Sequence, residues 1–274
     1  MIALDQIAGW DVATAAAGVV GPDGLLVTAG PTDQAFPLAS VSKVLAAVAV
    51  HVAVEEGTLD LDDDVQDAGG PPGATVRHLL AHASGLPPDG DRTPLGPPER
   101  KRIYSNVGFE VLGDHLAART GMAMADYVAA ALVEPLALDA TTTAGSPAHG
   151  YSSSVDDLAA VLVALRAGRI LAAGSIREMT TPAFPDLAGV LPGYGAQDPN
   201  PWGLGVEVRG RKHPHWTADT NSPRTWGHFG RSGTFLWWDP DVDLGLVVLT
   251  DREFGAWAVE AWPALAAAVL AEHR

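Results

Sequence analysis

Ser40 and Lys43 stand three residues apart in Ser40-Val41-Ser42-Lys43, directly ahead of a run from Val44 to Val54 that is apolar except for His51. A helix beginning here sets the two side chains one above the other on a single face. Unpaired backbone N–H groups collect at a helix's first turn and favour negative charge there. A serine so placed can attack a carbonyl, and its own N–H can help hold the oxyanion that forms. A lysine pressed among Val41, Val44 and Leu45 is desolvated, which drives its pKa down towards a role in proton transfer. The pair therefore has the chemistry of a serine nucleophile with a built-in base. The plainer reading is a serine cap followed by a lysine seeking solvent; the apolar wall after Lys43 weighs against it.

Two later triplets carry comparable potential. Tyr104-Ser105-Asn106 precedes a helical pattern, and His228-Phe229-Gly230 lies in an extended one. Taken alone, Tyr104 reads as an aromatic at a helix start, Asn106 as its cap, and His228 as a strand histidine beside Trp226 and Phe229. Their order behind S-x-x-K changes that. The three motifs together resemble the serine β-lactamase and penicillin-binding protein superfamily, and Tyr104-x-Asn106 resembles the class C branch with its esterase and D-aminopeptidase relatives. Surrounding phrases agree: the acidic turn 59–65, His78-Leu79-Leu80-Ala81-His82-Ala83-Ser84-Gly85-Leu86, Glu134-Pro135-Leu136, 152–158 and 227–233.

The resemblance covers about residues 34–251. It implies an α+β fold: an antiparallel sheet from both chain ends flanked by helices, beside an inserted all-α subdomain, with the active site between them. By the same resemblance Ser40 is the nucleophile and Lys43 assists its deprotonation. Tyr104 is the general base and acid, its phenol pKa lowered by nearby cations, and Asn106 hydrogen-bonds the substrate amide or the lysine. The N–H groups of Ser40 and Arg231 form the oxyanion hole, and His228, Gly230 and Arg231 meet the substrate. Two features depart from the best-known lactamases and transpeptidases: His228 stands where they carry lysine, and the chain is short for a class C enzyme.

The elements that must position these residues are readable in outline. A short helix over 2–8 precedes strands Thr14–Val20 and Leu25–Ala29, joined by the turn Gly21-Pro22-Asp23-Gly24. The buried helix ends at Gly57. Helices follow over Thr75–Ala81, Val107–Arg119, Met122–Leu132 and Leu158–Leu165, the last capped by Ser154; 84–98 and 180–201 are irregular, and long loops are often functional. Strands return at Trp202–Val208, Thr225–Gly230, Ser232–Trp238 and Leu244–Thr250. Ala256–Glu272 closes as an amphipathic helix with Trp257, Trp262, Leu265 and Val269 inward. One catalytic unit is expected, with subdomains 1–57 plus 202–274 and 58–201.

Composition narrows the function. A net charge of −16 disfavours nucleic acid and anionic lipid, and the lack of cysteine removes thiolate chemistry. No apolar run reaches membrane-spanning length, and Met1-Ile2-Ala3-Leu4-Asp5-Gln6 lacks a basic leader region. A cytoplasmic location is expected, with no cofactor and no metal. Asp60, Asp62 and Asp64 have calcium-loop spacing, but Val65 replaces the required glycine; a capping turn is the better reading. His78 and His82 lack the glutamate of a zinc helix and read as hydrogen-bonded, partly packed histidines. The expected function is hydrolysis of a small-molecule ester, lactam or peptide through an acyl-enzyme on Ser40. Alternatives are true β-lactamase or D,D-peptidase activity, a non-catalytic ligand binder, or a metalloenzyme using His78, His82 or His213 and His215.

Overall fold

The computed structural model describes residues 2–273. A 3-10 helix (Ala3–Gly9) leads to the hairpin β1 (Ala15–Gly21) and β2 (Gly24–Ala29), then β3 (Phe36–Pro37) and α1 (Ser42–Glu55). The middle of the chain holds α2 (Val76–Leu80), α3 (Asn106–Thr120), α4 (Met124–Val128), α5 (Glu134–Leu136), β4 (Ser152–Ser153), α6 (Val155–Arg166) and α7 (Ala173–Thr180). A small hairpin of β5 (Gly189–Leu191) and β6 (Gly195–Gln197) follows. β7 (Glu207–Val208), β8 (Trp226–Gly230), β9 (Thr234–Asp239), β10 (Leu244–Thr250) and α8 (Ala256–His273) complete it.

Six strands from both chain ends make one antiparallel sheet in the order β2-β1-β10-β9-β8-β7. β10 is apolar on both faces because both are covered. Leu244, Leu246 and Val248 face α8 and the N-terminal 3-10 helix, with Trp262, Leu265 and Val269 opposite them. Val247 and Leu249 face the larger core shared with α1, α3 and α6. α1 is buried on nearly every side, from Ser42 to His51 without a break, as its all-round apolar character requires. The α+β architecture expected from the sequence is the one observed. α6, although it lies in the middle of the chain, packs on β1 and β10.

Several local expectations need correction. Of Trp202–Val208 only Glu207–Val208 is a strand; Trp202 makes single bridges to Ala183 and Glu207. The expected helix from Met122 starts at Met124 and passes through a wide π-turn over Ala129–Val133 before Glu134–Leu136. The stretch 180–201 holds the β5–β6 hairpin, and Ala173–Thr180 is helical. Trp257 is half-buried against Trp10 rather than inward. Met1 and Arg274, the outer limits of the expected subdomains, lie outside the described residues.

One buried cation ties the middle of the chain together. Arg102 is 2% exposed and donates to four carbonyls, those of Ala81, Ala183, Phe184 and Asn200. Burial lowers its pKa to about 10, still charged at neutral pH. Its planar fork of donors suits this arrangement, and a lysine's three tetrahedral donors do not. Arg102→Leu strands several buried acceptors, each costing about 1–3 kcal/mol. It is expected to lower unfolding stability by more than about 3 kcal/mol in urea titration, with Arg102→Lys recovering less than half of the loss.

Candidate active site

The site forms where the mouth of α1 meets the start of α3 and the end of β8. Ser40 lies in a 3-10 turn, Ala39–Val41, that runs into α1. Ala39 sits at φ 45°, a left-handed conformation rare for a residue with a Cβ; local strain of this kind collects at functional sites. Lys43, one turn on, is fully buried. Its Nζ donates to Asn106 Oδ1 at 2.6 Å and to the Ala148 carbonyl at 2.7 Å, and lies 3.5 Å from Ser40 Oγ. Burial pushes the amine down to about 7, while the carboxylates of Asp89 and Glu110 act in the opposite direction.

Asn106 is the first residue of α3, and Ser105 caps the helix by accepting from the Gly108 N–H. The amide of Asn106 bridges two groups, accepting from Lys43 and donating through Nδ2 to Asp89 at 2.8 Å. Ala148 is held by a neighbouring tie: Tyr151 N donates to Ser42 Oγ at 3.1 Å, and β3 pairs with β4. Glu110 accepts from Ser146 in the same loop.

Tyr104 corrects one expectation. Its phenol pKa is raised, not lowered: burial is the main cause, the Ser40 side chain works the other way, and Glu207 and Asp89 add to the rise. The nearest cation does not help, because Lys43 Nζ sits 4.8 Å over the ring centroid rather than beside the oxygen. The residue is partly buried, and its hydroxyl is shut from solvent without a partner in hydrogen-bond geometry among the described residues.

His228 packs among Tyr104 and Trp202, ring centroids 5.8 and 5.4 Å away. Its Nδ1 lies 2.7 Å from the Phe229 carbonyl. A carbonyl only accepts, so the partner assigns the proton to Nδ1 and leaves a lone pair on Nε2. Nε2 is buried with no partner among the described residues. Burial, reinforced by the Lys43 charge, holds His228 down at about 3, so it is uncharged at neutral pH.

Gly230 is required by close approach: a Cβ there would stand 2.3 Å from the Leu38 carbonyl. Thr234 Oγ1 donates to that carbonyl at 2.9 Å and Ser232 Oγ to that of Pro37 at 2.6 Å, stitching the β8–β9 turn to the segment before Ser40. Among the described residues neither the Ser40 nor the Arg231 N–H has a backbone acceptor. The Arg231 side chain turns outward, 82% exposed, with Glu253 3.6 Å away. Ser40, Tyr104, Asn106, His228 and Arg231 all line one cavity of about 660 Å³.

The sequence reading missed further residues of this cavity. Asp89 and His149 line it from loops, where only tertiary contact could reveal them. Trp202 and Glu207 line it from the β7 approach. Glu207 is 1% exposed and accepts from Lys212 at 2.5 Å, His215 at 2.8 Å and Trp216 Nε1 at 2.7 Å. Burial works to neutralise it, but Lys212 and His215 outweigh that and keep it ionised. A lone glutamate in the apolar stretch Trp202–Val208 was the available signal. The other histidines are dispersed. His78 bonds Thr75 and Glu99, His82 Nδ1 accepts from Ser105 N, and His213 faces Asp219. Asp60, Asp63 and Asp64 cap turn N–H groups.

The Beta-lactamase family model matches residues 7–271. The chain is similar to the crystal structure of a beta-lactamase from Mycobacterium bovis, with a TM-score of 0.95, 49% identity and 99% of each chain covered. It matches penicillin-binding protein 4* of Bacillus subtilis (strain 168) at 28% identity over 138 residues, 40% of this chain and 31% of that relative's length. EstCE1, a hydrolase with promiscuous acyltransferase activity, shares the fold: TM-score 0.77, 18% identity, 97% of this chain and 96% of that one. Among the described residues no single helix is long and apolar enough to cross a membrane.

With only three lysines in the chain, Lys43 can be followed directly by heteronuclear NMR of labelled lysine. It is expected to titrate near 7. Asp89→Asn keeps an acceptor for Asn106 but removes a charge that favours the ammonium, so the Lys43 midpoint should move to lower pH. An upward shift would contradict the electrostatics described.

Proposed function

The chain belongs to the beta-lactamase family, and from that premise we propose that it is a serine hydrolase working through an acyl-enzyme on Ser40, with esters or small amides as substrates. The observation that carries this is the buried Lys43 amine lying between Ser40 Oγ and two strong acceptors. A neutral amine has two hydrogens and one lone pair. Asn106 Oδ1 and the Ala148 carbonyl take the hydrogens, so the lone pair is left for the Ser40 hydroxyl. Lys43 is thus the base for acylation, since an amine near 7 is substantially unprotonated at neutral pH. The 3.5 Å separation suits a free enzyme whose catalytic hydrogen bonds tighten when substrate binds.

Tyr104, with its raised pKa, works as a neutral phenol. It donates to the leaving group as the acyl-enzyme forms, and its proton is replaced by the one that Lys43 took from the Ser40 hydroxyl. The N–H groups of Ser40 and Arg231 hold the oxyanion. In the second half-reaction water attacks the acyl carbonyl with the same residues in reverse roles. His228, uncharged, accepts rather than supplies a cation, so a substrate carboxylate gains no fixed positive partner from it. This favours esters and neutral amides over penicillins and cephalosporins; the name of the Mycobacterium bovis relative is the reason to test lactams alongside them.

Ser40→Ala is expected to reduce turnover of a butyrate ester by several orders of magnitude, and a slow acylating inhibitor should label the Ser40 peptide in mass spectrometry. The rate kcat/KM should rise with pH through about 7 as Lys43 loses its proton. A profile flat from pH 5 to 9 would remove Lys43 as the base. His228→Lys should raise cephalosporin hydrolysis relative to ester hydrolysis by roughly ten- to a hundred-fold, the usual worth of a desolvated charge contact. Faster hydrolysis of a cephalosporin than of a butyrate ester by the wild type would overturn the charge argument.

A further inference from the structure

The cavity has two unlike sides. Ser40, Asp89, Asn106 and His149 are polar; Leu191, Pro192, Gly193, Phe229 and Phe254 are apolar, and contacts of Phe254 with Phe229 and Gly193 join them into a wall. We propose that this wall is a subsite for an unbranched alkyl or aryl arm of the substrate, on the acyl or the leaving-group side of the carbonyl that Ser40 attacks. This rests on the hydrolase reading and names the kind of ester or amide it takes.

Three features of the wall support a site for substrate rather than incidental lining. First, it is built and held. The Phe254 ring packs against Phe229, Trp262 and Tyr194 with centroids 5.1, 5.2 and 5.8 Å away, yet stays half-buried with a face left to the cavity. Second, it is registered to the reacting centre. Phe254 N donates to the Arg231 carbonyl at 2.8 Å, so the wall starts one residue from the N–H assigned to the oxyanion. Third, its depth is limited. Gly193, at φ 79°, brings the β5–β6 hairpin against the ring so closely that a Cβ would stand 2.5 Å from Phe254. The hairpin and the ring therefore meet and bound the wall on that side. Among the described residues the five that make this wall carry no charge, and the Arg231 side chain is 82% exposed. A surface of this kind gains from apolar contact about fourfold for each methylene buried, until that bound is reached.

The test uses two series of esters on the full-length protein, one lengthening the acyl chain from acetyl to decanoyl with a p-nitrophenyl leaving group, the other lengthening the alcohol of an acetate ester. In one series kcat/KM should climb about fourfold per methylene, reach an optimum and then fall. Phe254→Ala should move that optimum at least two carbons longer, and the milder Phe254→Leu, which carries the test if the alanine variant does not fold, should move it in the same direction. In parallel, C2 to C8 n-alkanamides are titrated by NMR into Ser40→Ala, which reads the subsite without turnover. If the wild type cleaves none of the esters while amide binding still strengthens with chain length and responds to Phe254→Ala, the hydrolase reading fails and the subsite stands. Chain-length dependence absent from both measurements, or an optimum unmoved in a folded Phe254 variant, overturns the subsite.

Discussion

A primary amine in a low-dielectric interior is the constraint around which this structure is arranged. An isolated ammonium as deeply buried as Lys43 is too costly to keep, so the side chain either loses its proton or collects acceptors. Here it does some of each: two strong acceptors hold it in place, two carboxylates at a distance favour its charge, and burial brings its pKa near neutrality. Each partner comes from a different part of the chain. Asn106 arrives on α3, Ala148 on the loop before β4, and Ser40 on the turn into α1. The amine can be satisfied only when all three are in register, so the same contacts that stabilise it assemble the site.

The sheet supplies the other half of that register. β7 pairs with β8 only along Glu207–Val208, which leaves the far end of β8, with His228 and Gly230, beside the cavity. The missing side chain of Gly230 lets this edge come up against Leu38, and the hydroxyls of Ser232 and Thr234 hold it there. Beside it the Glu207 carboxylate is paired with the Lys212 ammonium and hydrogen-bonded to His215. A paired buried cluster adds little to stability beyond what apolar residues could give, but it keeps a full negative charge close to Tyr104 and His228. That charge helps keep the phenol protonated.

The parts of the fold visible in the sequence are those written in local pattern: the hairpin at Gly21–Gly24, the apolar α1, the Ser154 cap and the unbroken apolar run of β10. The failures have physical causes. Trp202–Val208 looks extended because it is buried, and burial rather than strand pairing placed its apolar residues there. The helix after Met122 is interrupted where its turns widen, which no periodicity foretells. At the site, Ser40, Lys43, Tyr104, Asn106 and His228 were legible as motifs, and the structure brings all but Lys43 to one cavity, with Lys43 buried behind Ser40. Asp89, His149 and Phe254 were not, because their positions depend on loop paths rather than on spacing; Glu207, on β7, showed only as a lone glutamate in an apolar stretch. The protonation of Tyr104 was misread for a related reason: cation proximity was counted without direction, and Lys43 lies over the ring face.

Arg102 bears on when the site comes into being. Its guanidinium draws on carbonyls at positions 81, 183, 184 and 200, and Tyr104 is two residues away. During synthesis the segment carrying Tyr104 emerges long before residue 200, so it cannot lock until most of the chain has left the ribosome. The turn that carries Ser40 draws on chain still further along: the carbonyls of Pro37 and Leu38 just before it accept from Ser232 and Thr234. A chain halted before residue 200 therefore lacks both the ties that seat Ser40 and those that seat Tyr104. Assembly of the site is in this sense a report on completion of the fold.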